Sequence, residues 1–209
     1  WQLLWVRSIG FYGMVLLPVS LGVLASLVWR AEHQGSNGLA LMNAPVPMWR
    51  TVAAKAAAAW LLAAVMQLVL VMAAAAVGAL VLGLPGILPS RYLVAGLLTT
   101  VACAPVCALQ SGLSAFTRSF AMPVAIGLTL TGAGTTALLV HIPAAWLLPH
   151  ALVTRTTQIG AMSEDAALVF AAQELTWASA AVTVATSVAL SAVVVLGTST
   201  VLDRTDTRT

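Results

Sequence analysis

Thr51–Leu82 reads TVAAKAAAAWLLAAVMQLVLVMAAAAVGALVL, with Lys55 as its one charge. A helix crosses the hydrocarbon core of a bilayer with about 20 apolar residues. This run is therefore a membrane span with length to spare, and it must tilt or extend into water at one end. The rest of the chain agrees. Hydrophobic residues make up 61% of it, charged residues 7%, and the mean hydropathy is +1.01. A soluble domain carries about 25% charged residues, so most of this surface must face lipid.

Four further runs flank the first. Ile9–Trp29 is bracketed by Arg7 and Arg30, with Pro18 in its middle, where a kink is expected. Gly83-Leu84-Pro85-Gly86 and Pro89 break the chain after Leu82. Tyr92–Phe116 follows and ends at Arg118, then Phe120–Val140, with Pro123 in a first turn that tolerates it. Leu175–Thr198 precedes the polar tail Asp203–Thr209. Residues 141–174 mix Pro143, Pro149 and Gly160 with apolar patches around Trp146 and Phe170. Ser163-Glu164-Asp165 is suited to open a short helix there. This segment is expected to form short interface helices on the outer membrane face. The fold class is all-α: a single polytopic transmembrane domain over 1–209 with five spans.

Charge orients it. With the 31–50 loop in the cytoplasm, Arg30, Arg50, Lys55, Arg118, Arg204 and Arg208 lie inside, and Arg7, Arg91 and Arg155 outside. Six against three follows the positive-inside rule. The net charge of +3 is small and dispersed, which argues for no nucleic-acid partner. Lys55 is the only lysine while arginine, alanine, valine, glycine and proline abound. That usage fits a GC-rich bacterial genome, and hence the bacterial plasma membrane.

The 31–50 loop holds the oddest charge. Glu32 sits just past a helix C-terminal end, where the dipole disfavours an anion, and Lys55 mirrors it near a helix start. A cation must compensate Glu32: Arg30, Arg50, Lys55, or a residue of another protein. Trp49 and Arg50 are interface anchors. The plainer reading is a hydrated loop with headgroup anchors. On Phe120–Val140, Gly127, Gly132 and Gly134 alternate with Thr129, Thr131, Thr135 and Thr136. Such small residues let backbones approach, either within one subunit or at a dimer seam. Gly127, Thr131, Gly134 and Thr135 are the candidates for a packing face.

Catalytic signatures are missing. There is no Gly-x-x-x-x-Gly-Lys-Ser/Thr phosphate loop, and Glu32-His33 lacks the second histidine of a zinc-protease helix. Cys103 and Cys107 share a helix face as packing residues, since a disulfide within one helical turn is geometrically poor and two thiols do not make a metal site. His141 and His150, beside prolines outside the spans, read as interface residues rather than ligands. Gln110 and Glu174 are the polar residues nearest a span interior, with Glu174 expected at the outer headgroup level. No run of intramembrane carboxylates marks an ion pathway.

Phe11-Tyr12 opening a proline-containing span, then Glu32-His33 and Gly35, a short apolar stretch, Pro45-Val46, Trp49-Arg50 and Lys55: this succession resembles the permease subunits of ABC-2 type exporters, especially the lantibiotic and bacitracin immunity branch. The resemblance extends over the chain in hydropathy and rests chiefly on residues 11–55. Where family members often carry a glycine-glycine-tryptophan run, Gly35-Ser36-Asn37-Gly38-Leu39 stands here. The resemblance implies six spans with both ends cytoplasmic, so a further span is expected before Trp1. It implies that the loop carrying Glu32, His33, Gly35, Leu39, Pro45 and Arg50, with Lys55 beyond it, couples to a separate ATPase subunit. That subunit would hold ATP and magnesium, while this chain would be non-catalytic and bind no cofactor. By the same resemblance, Gly127, Thr131, Gly134 and Thr135 are candidates for a translocation face. Two permeases, identical or not, would pair with two ATPases to move an amphipathic cargo: a peptide antibiotic, a drug or a lipid-like molecule. The alternative is a secondary transporter or membrane scaffold without an ATPase.

Overall fold

The computed structural model describes residues 1–34, 46–117, 119–158 and 175–206. Among them the chain is helical, with seven α-helices and no strand. Helix α1 (Gln2–Phe11) passes through a π-turn (Tyr12–Leu16) into α2 (Leu17–His33). Helix α3 (Met48–Ala76) ends in a second π-turn (Val77–Val81). Helices α4 (Ser90–Phe116) and α5 (Ala121–Leu139) follow, then a 3₁₀ turn (Ala145–Leu147), α6 (Pro149–Thr157) and α7 (Trp177–Asp206). Among the described residues five segments are long and apolar enough to cross a membrane: Gln2–Arg30, Met48–Val81, Ser90–Phe116, Ala121–Leu139 and Trp177–Arg204.

The first span is longer than its apolar run. It begins at Gln2, so Arg7 lies on the helix and not at its edge. Pro18 does not simply kink it. Proline clashes with the carbonyl four residues back, and the π-turn directly before it widens the helix there, with the Leu17 N–H bonded to Tyr12 O. The last helix also outruns its prediction, continuing to Asp206 because Leu202 packs with Trp29 and Val52. After Leu82 the expected turn is present, with Gly83 and Gly86 at φ of 59° and 75°, the left-handed region that favours glycine.

Helix α4 is the hub. It packs against α2, α3, α6 and α7, and its spanning window is the most buried of the five. Its sequence explains this. Ala95, Gly96, Ala102, Cys103, Ala108, Ser111, Gly112 and Ser114 are all buried, and such small side chains let neighbouring backbones come close. A Cβ on Gly112 would stand 2.6 Å from Thr198 Oγ1 of α7. The central cluster joins Leu17, Leu21, Ala59, Ala63, Ala102, Cys103, Val106, Cys107, Leu152 and Val153. Both cysteines are free thiols within it. On α3 and α7, large apolar side chains such as Leu68, Met72, Val188 and Val193 point outward, as lipid-facing surface requires.

The segment after α5 departs from expectation. The chain does form short helices, but α6 does not lie on a surface. Residues His150–Thr154, Thr156 and Thr157 are buried, and Leu152 and Val153 enter the central cluster. His141 and Ala144, both in the left-handed region, turn the chain back into the bundle. Room comes from two glycines: a Cβ on Gly13 would be 3.0 Å from the Thr157 side chain, and one on Gly134 2.9 Å from Ala151 N. Polarity is masked locally. Thr154, Thr156 and Thr157 donate their hydroxyls to His150 O, Leu152 O and Thr154 O within the same helix. Residues 159–174, including Gly160, Ser163-Glu164-Asp165, Phe170 and Glu174, lie outside the described residues.

Candidate functional site

One end of the bundle gathers the residues that flank the 34–47 segment, which is shorter than the expected 31–50 loop because α2 runs on through His33 and α3 already begins at Met48. Helical spacing gives the last turns of α2 two working faces. Trp29 and Glu32, three apart, meet Lys55 of α3, and the Trp29 indole also reaches α4. Ser26, Arg30 and His33, spaced four and three, face α4 and the start of α5. Helix α3 begins at Met48, so its buried stripe runs Val52, Ala56, Ala59, Ala63. Lys55 borders that stripe and turns toward α2, whereas Arg50 falls on the other side and is exposed.

Lys55 carries the geometry. Its ammonium forms an ion pair with Glu32, donates to Val28 O at 2.9 Å, and lies 5.6 Å over the Trp29 ring. The cation demanded by Glu32 is thus Lys55. Arg50 instead stacks on Trp49, 5.5 Å from its ring centre. The arrangement favours both charges. An anion at the C-terminal end of α2 opposes the helix dipole, and Lys55 supplies the missing positive charge while also binding a carbonyl of α2. The carboxylate is only 18% exposed, and its second oxygen, Oε2, is buried with no partner among the described residues.

The same helix end is tied to the hub. Trp29 Nε1 donates to Ser111 Oγ at 2.7 Å. His33 Nε2 lies 2.7 Å from Ser114 O and donates to it. Ser26 and Ser114 hydroxyls are 3.3 Å apart. Leu202 of α7 closes the cluster over Trp29 and Val52. Four helices therefore meet at the loop, and α2 and α3 cannot shift there independently. Of the loop candidates, Glu32, His33, Arg50 and Lys55 are placed by the structure. Gly35, Leu39 and Pro45 lie outside the described residues.

The glycine–threonine candidates on α5 face inward. A Cβ on Gly127 would stand 2.3 Å from Gln110 Nε2, and Gly134 abuts Ala151. Thr131 is buried and donates to Gly127 O at 2.8 Å. Thr135 has a buried hydroxyl without a partner among the described residues. This face is occupied by α4 and α6 of the same chain. The opposite face, with Gly132 and Thr136, is open.

Two features escaped sequence reasoning. His150 is buried, with Nε2 3.4 Å from Gln110 Nε2, an amide donor facing a ring-nitrogen acceptor. Burial pushes the His150 pKa down to about 4. Pro149 before it, at a first helical position, was the one local signal of a helix starting there. Gln67, buried on α3, donates to the Tyr12 hydroxyl at 2.8 Å beside the first π-turn; isolated polar residues on different spans carry no sequence mark of their pairing.

A family model described as ABC-2 family transporter protein matches residues 1–134. The chain belongs to the ABC-2 transporter family. The match takes in α1 through α4 and most of α5, including Glu32, Lys55 and the loop between them. This ABC-2 chain is a multi-pass membrane component of a transporter. Its α6 and α7 lie beyond the matched region. No curated protein and no solved structure matches the chain.

Proposed function

We propose that this chain is the permease subunit of an ATP-driven exporter in a bacterial plasma membrane, with the 31–50 loop facing the cytoplasm and docking on a separate ABC-type ATPase. The partner holds ATP and magnesium. Two permease subunits complete the assembly, and the cargo is amphipathic, of the kind handled by the lantibiotic and bacitracin immunity branch. Family membership supports the transport role. The observation that carries the coupling is the Lys55 clasp on Glu32 and Val28.

A loop that transmits force must be anchored at both ends to stiff elements. Here one end leaves α2 and the other enters α3, and Lys55 joins the two. Trp29 and His33 extend the connection to α4. A push on the loop then moves α2, α3 and α4 together as rigid bodies. Glu32 works in this reading as an internal pin and not as a contact offered to the partner. Trp49 and Arg50, exposed beside it, are left to meet the partner or the headgroups.

The test is purification with the co-expressed ATPase and measurement of cargo-stimulated ATP turnover. Glu32→Ala and Lys55→Ala should each lower that turnover and export at matched membrane levels. Wild-type turnover in both variants would remove the clasp from coupling. Failure of any ATPase to co-purify or respond would remove the exporter reading itself.

A further inference from the structure

Beside the clasp, on the other face of α2, lies a cavity of about 340 Å³. Its walls come from three elements: Ser26, Arg30 and His33 of α2, Ser114 and Thr117 at the end of α4, and Ser119 just before α5. Among the described residues the lining contains four hydroxyls, a guanidinium, an imidazole, the Gln34 carboxamide and the Phe120 ring, and no carboxylate. Glu32, the nearest acidic residue in sequence, is turned to the other face and neutralised by Lys55.

We propose that this cavity binds a phosphate group, either the headgroup of an anionic phospholipid or a free phosphate. Three observations converge on that chemistry. Arg30 is exposed and has no partner among the described residues, so its five donors are available. The Ser26 and Ser114 hydroxyls share a single contact, which leaves one O–H to donate; Ser119 adds a second, while Thr117 donates to Leu113 O of its own helix. Finally, α5 starts at the cavity wall. Its N-cap position, Phe120, makes no side-chain capping bond, so the N–H groups of Ala121 and Met122 (Pro123, the third helical residue, has none) and the positive end of a 19-residue helix are uncapped there among the described residues. A guanidinium, hydroxyl donors and a helix N-terminus are a set suited to phosphate oxygens. A metal cation would meet Arg30, and an apolar ligand would leave the guanidinium and the uncommitted serine O–H groups without a partner. His33 shapes the wall, with Nε2 already committed to Ser114 O.

The site does not depend on an ATPase or on export, so the full chain alone, purified in detergent, can test it. The thermal unfolding midpoint is followed at constant ionic strength against three probes: dioctanoyl phosphatidic acid, dioctanoylglycerol, and sodium phosphate. Phosphatidic acid should raise the midpoint saturably and dioctanoylglycerol should not. A saturable response to phosphatidic acid alone identifies a lipid headgroup, and one to inorganic phosphate identifies a site open to the free anion. Arg30→Gln should shift the half-saturating concentration at least tenfold. Arg7→Gln, which removes an exposed cation elsewhere on the same span, should leave it unchanged. The proposal fails if neither phosphate probe is felt, or if dioctanoylglycerol matches phosphatidic acid. It also fails if Arg30→Gln behaves like wild type or like Arg7→Gln.

Discussion

Lys55 holds Glu32 across the 34–47 segment and bonds Val28 O with the same ammonium, so one side chain closes both the charge and the helix end of α2. The pair is asymmetric. Without Glu32, Lys55 still has a carbonyl and an aromatic face. Without Lys55, Glu32 keeps an unfavourable place at the end of a dipole, with Oε2 already unpartnered among the described residues.

That asymmetry predicts unequal losses. Lys55→Ala should destabilise the purified protein by about 1–3 kcal/mol, the scale of a lost bond to a charged group. Glu32→Ala should cost less, because removing the anion relieves the dipole by about 0.3–1 kcal/mol. The double variant should be no worse than Lys55→Ala alone, since the two residues share one interaction. Denaturation midpoints in detergent give the comparison, and equal or additive losses would contradict the clasp.

Arg50 offers the contrast. It is exposed and rests on Trp49, so Arg50→Ala should change stability by no more than about 0.5 kcal/mol. A loss as large as that of Lys55→Ala would mean that Glu32 shares its charge with Arg50.

On α5 the glycines should separate. A Cβ on Gly134 would press on the backbone nitrogen of Ala151 at 2.9 Å, while one on Gly132 meets nothing within 4 Å. Gly134→Ala should cost about 1–3 kcal/mol through overpacking, and Gly132→Ala should be neutral or slightly stabilising, as alanine favours helix. Thermal unfolding of the two variants decides it; equal behaviour would mean that α6 is not seated against α5.

Buried His150 adds a pH dependence. Its folded pKa is pushed down to about 4 from the ordinary 6.5, so the fold holds the neutral ring while the unfolded chain takes a proton first. The stability from burying a neutral ring is complete above pH 6.5 and is lost as pH falls toward 4. The loss can reach roughly 3 kcal/mol. Unfolding midpoints between pH 7 and pH 4 should fall for the wild type and fall less for His150→Gln. Parallel curves would place the titration elsewhere.

The five spans were legible because membrane crossing is a local property. Around 20 apolar residues in sequence suffice, and Thr51–Leu82 or Tyr92–Phe116 satisfy that without reference to any neighbour. The need for a cation at Glu32 was equally local, since a dipole and a helix end are read from adjacent residues. The choice of Lys55 over Arg50 was not. It followed from where α3 starts: with Met48 as its first residue and Val52, Ala56 and Ala59 facing inward, position 55 turns toward α2 and position 50 away.

Helix α6 marks the boundary between the two kinds of information. Pro149–Thr157 is nine residues long, too short to span a bilayer and too rich in threonine to read as core. By sequence alone it belongs at a surface. It is buried because Gly13 and Gly134, on distant spans, leave the space, and because its threonines bond back to their own helix and so present little polarity to their neighbours. Span number and span position were determined by the sequence itself, through hydropathy summed along one segment. Which segment enters the bundle, and which cation meets Glu32, depended on complementary surfaces from separate helices, and those exist only once the helices have packed.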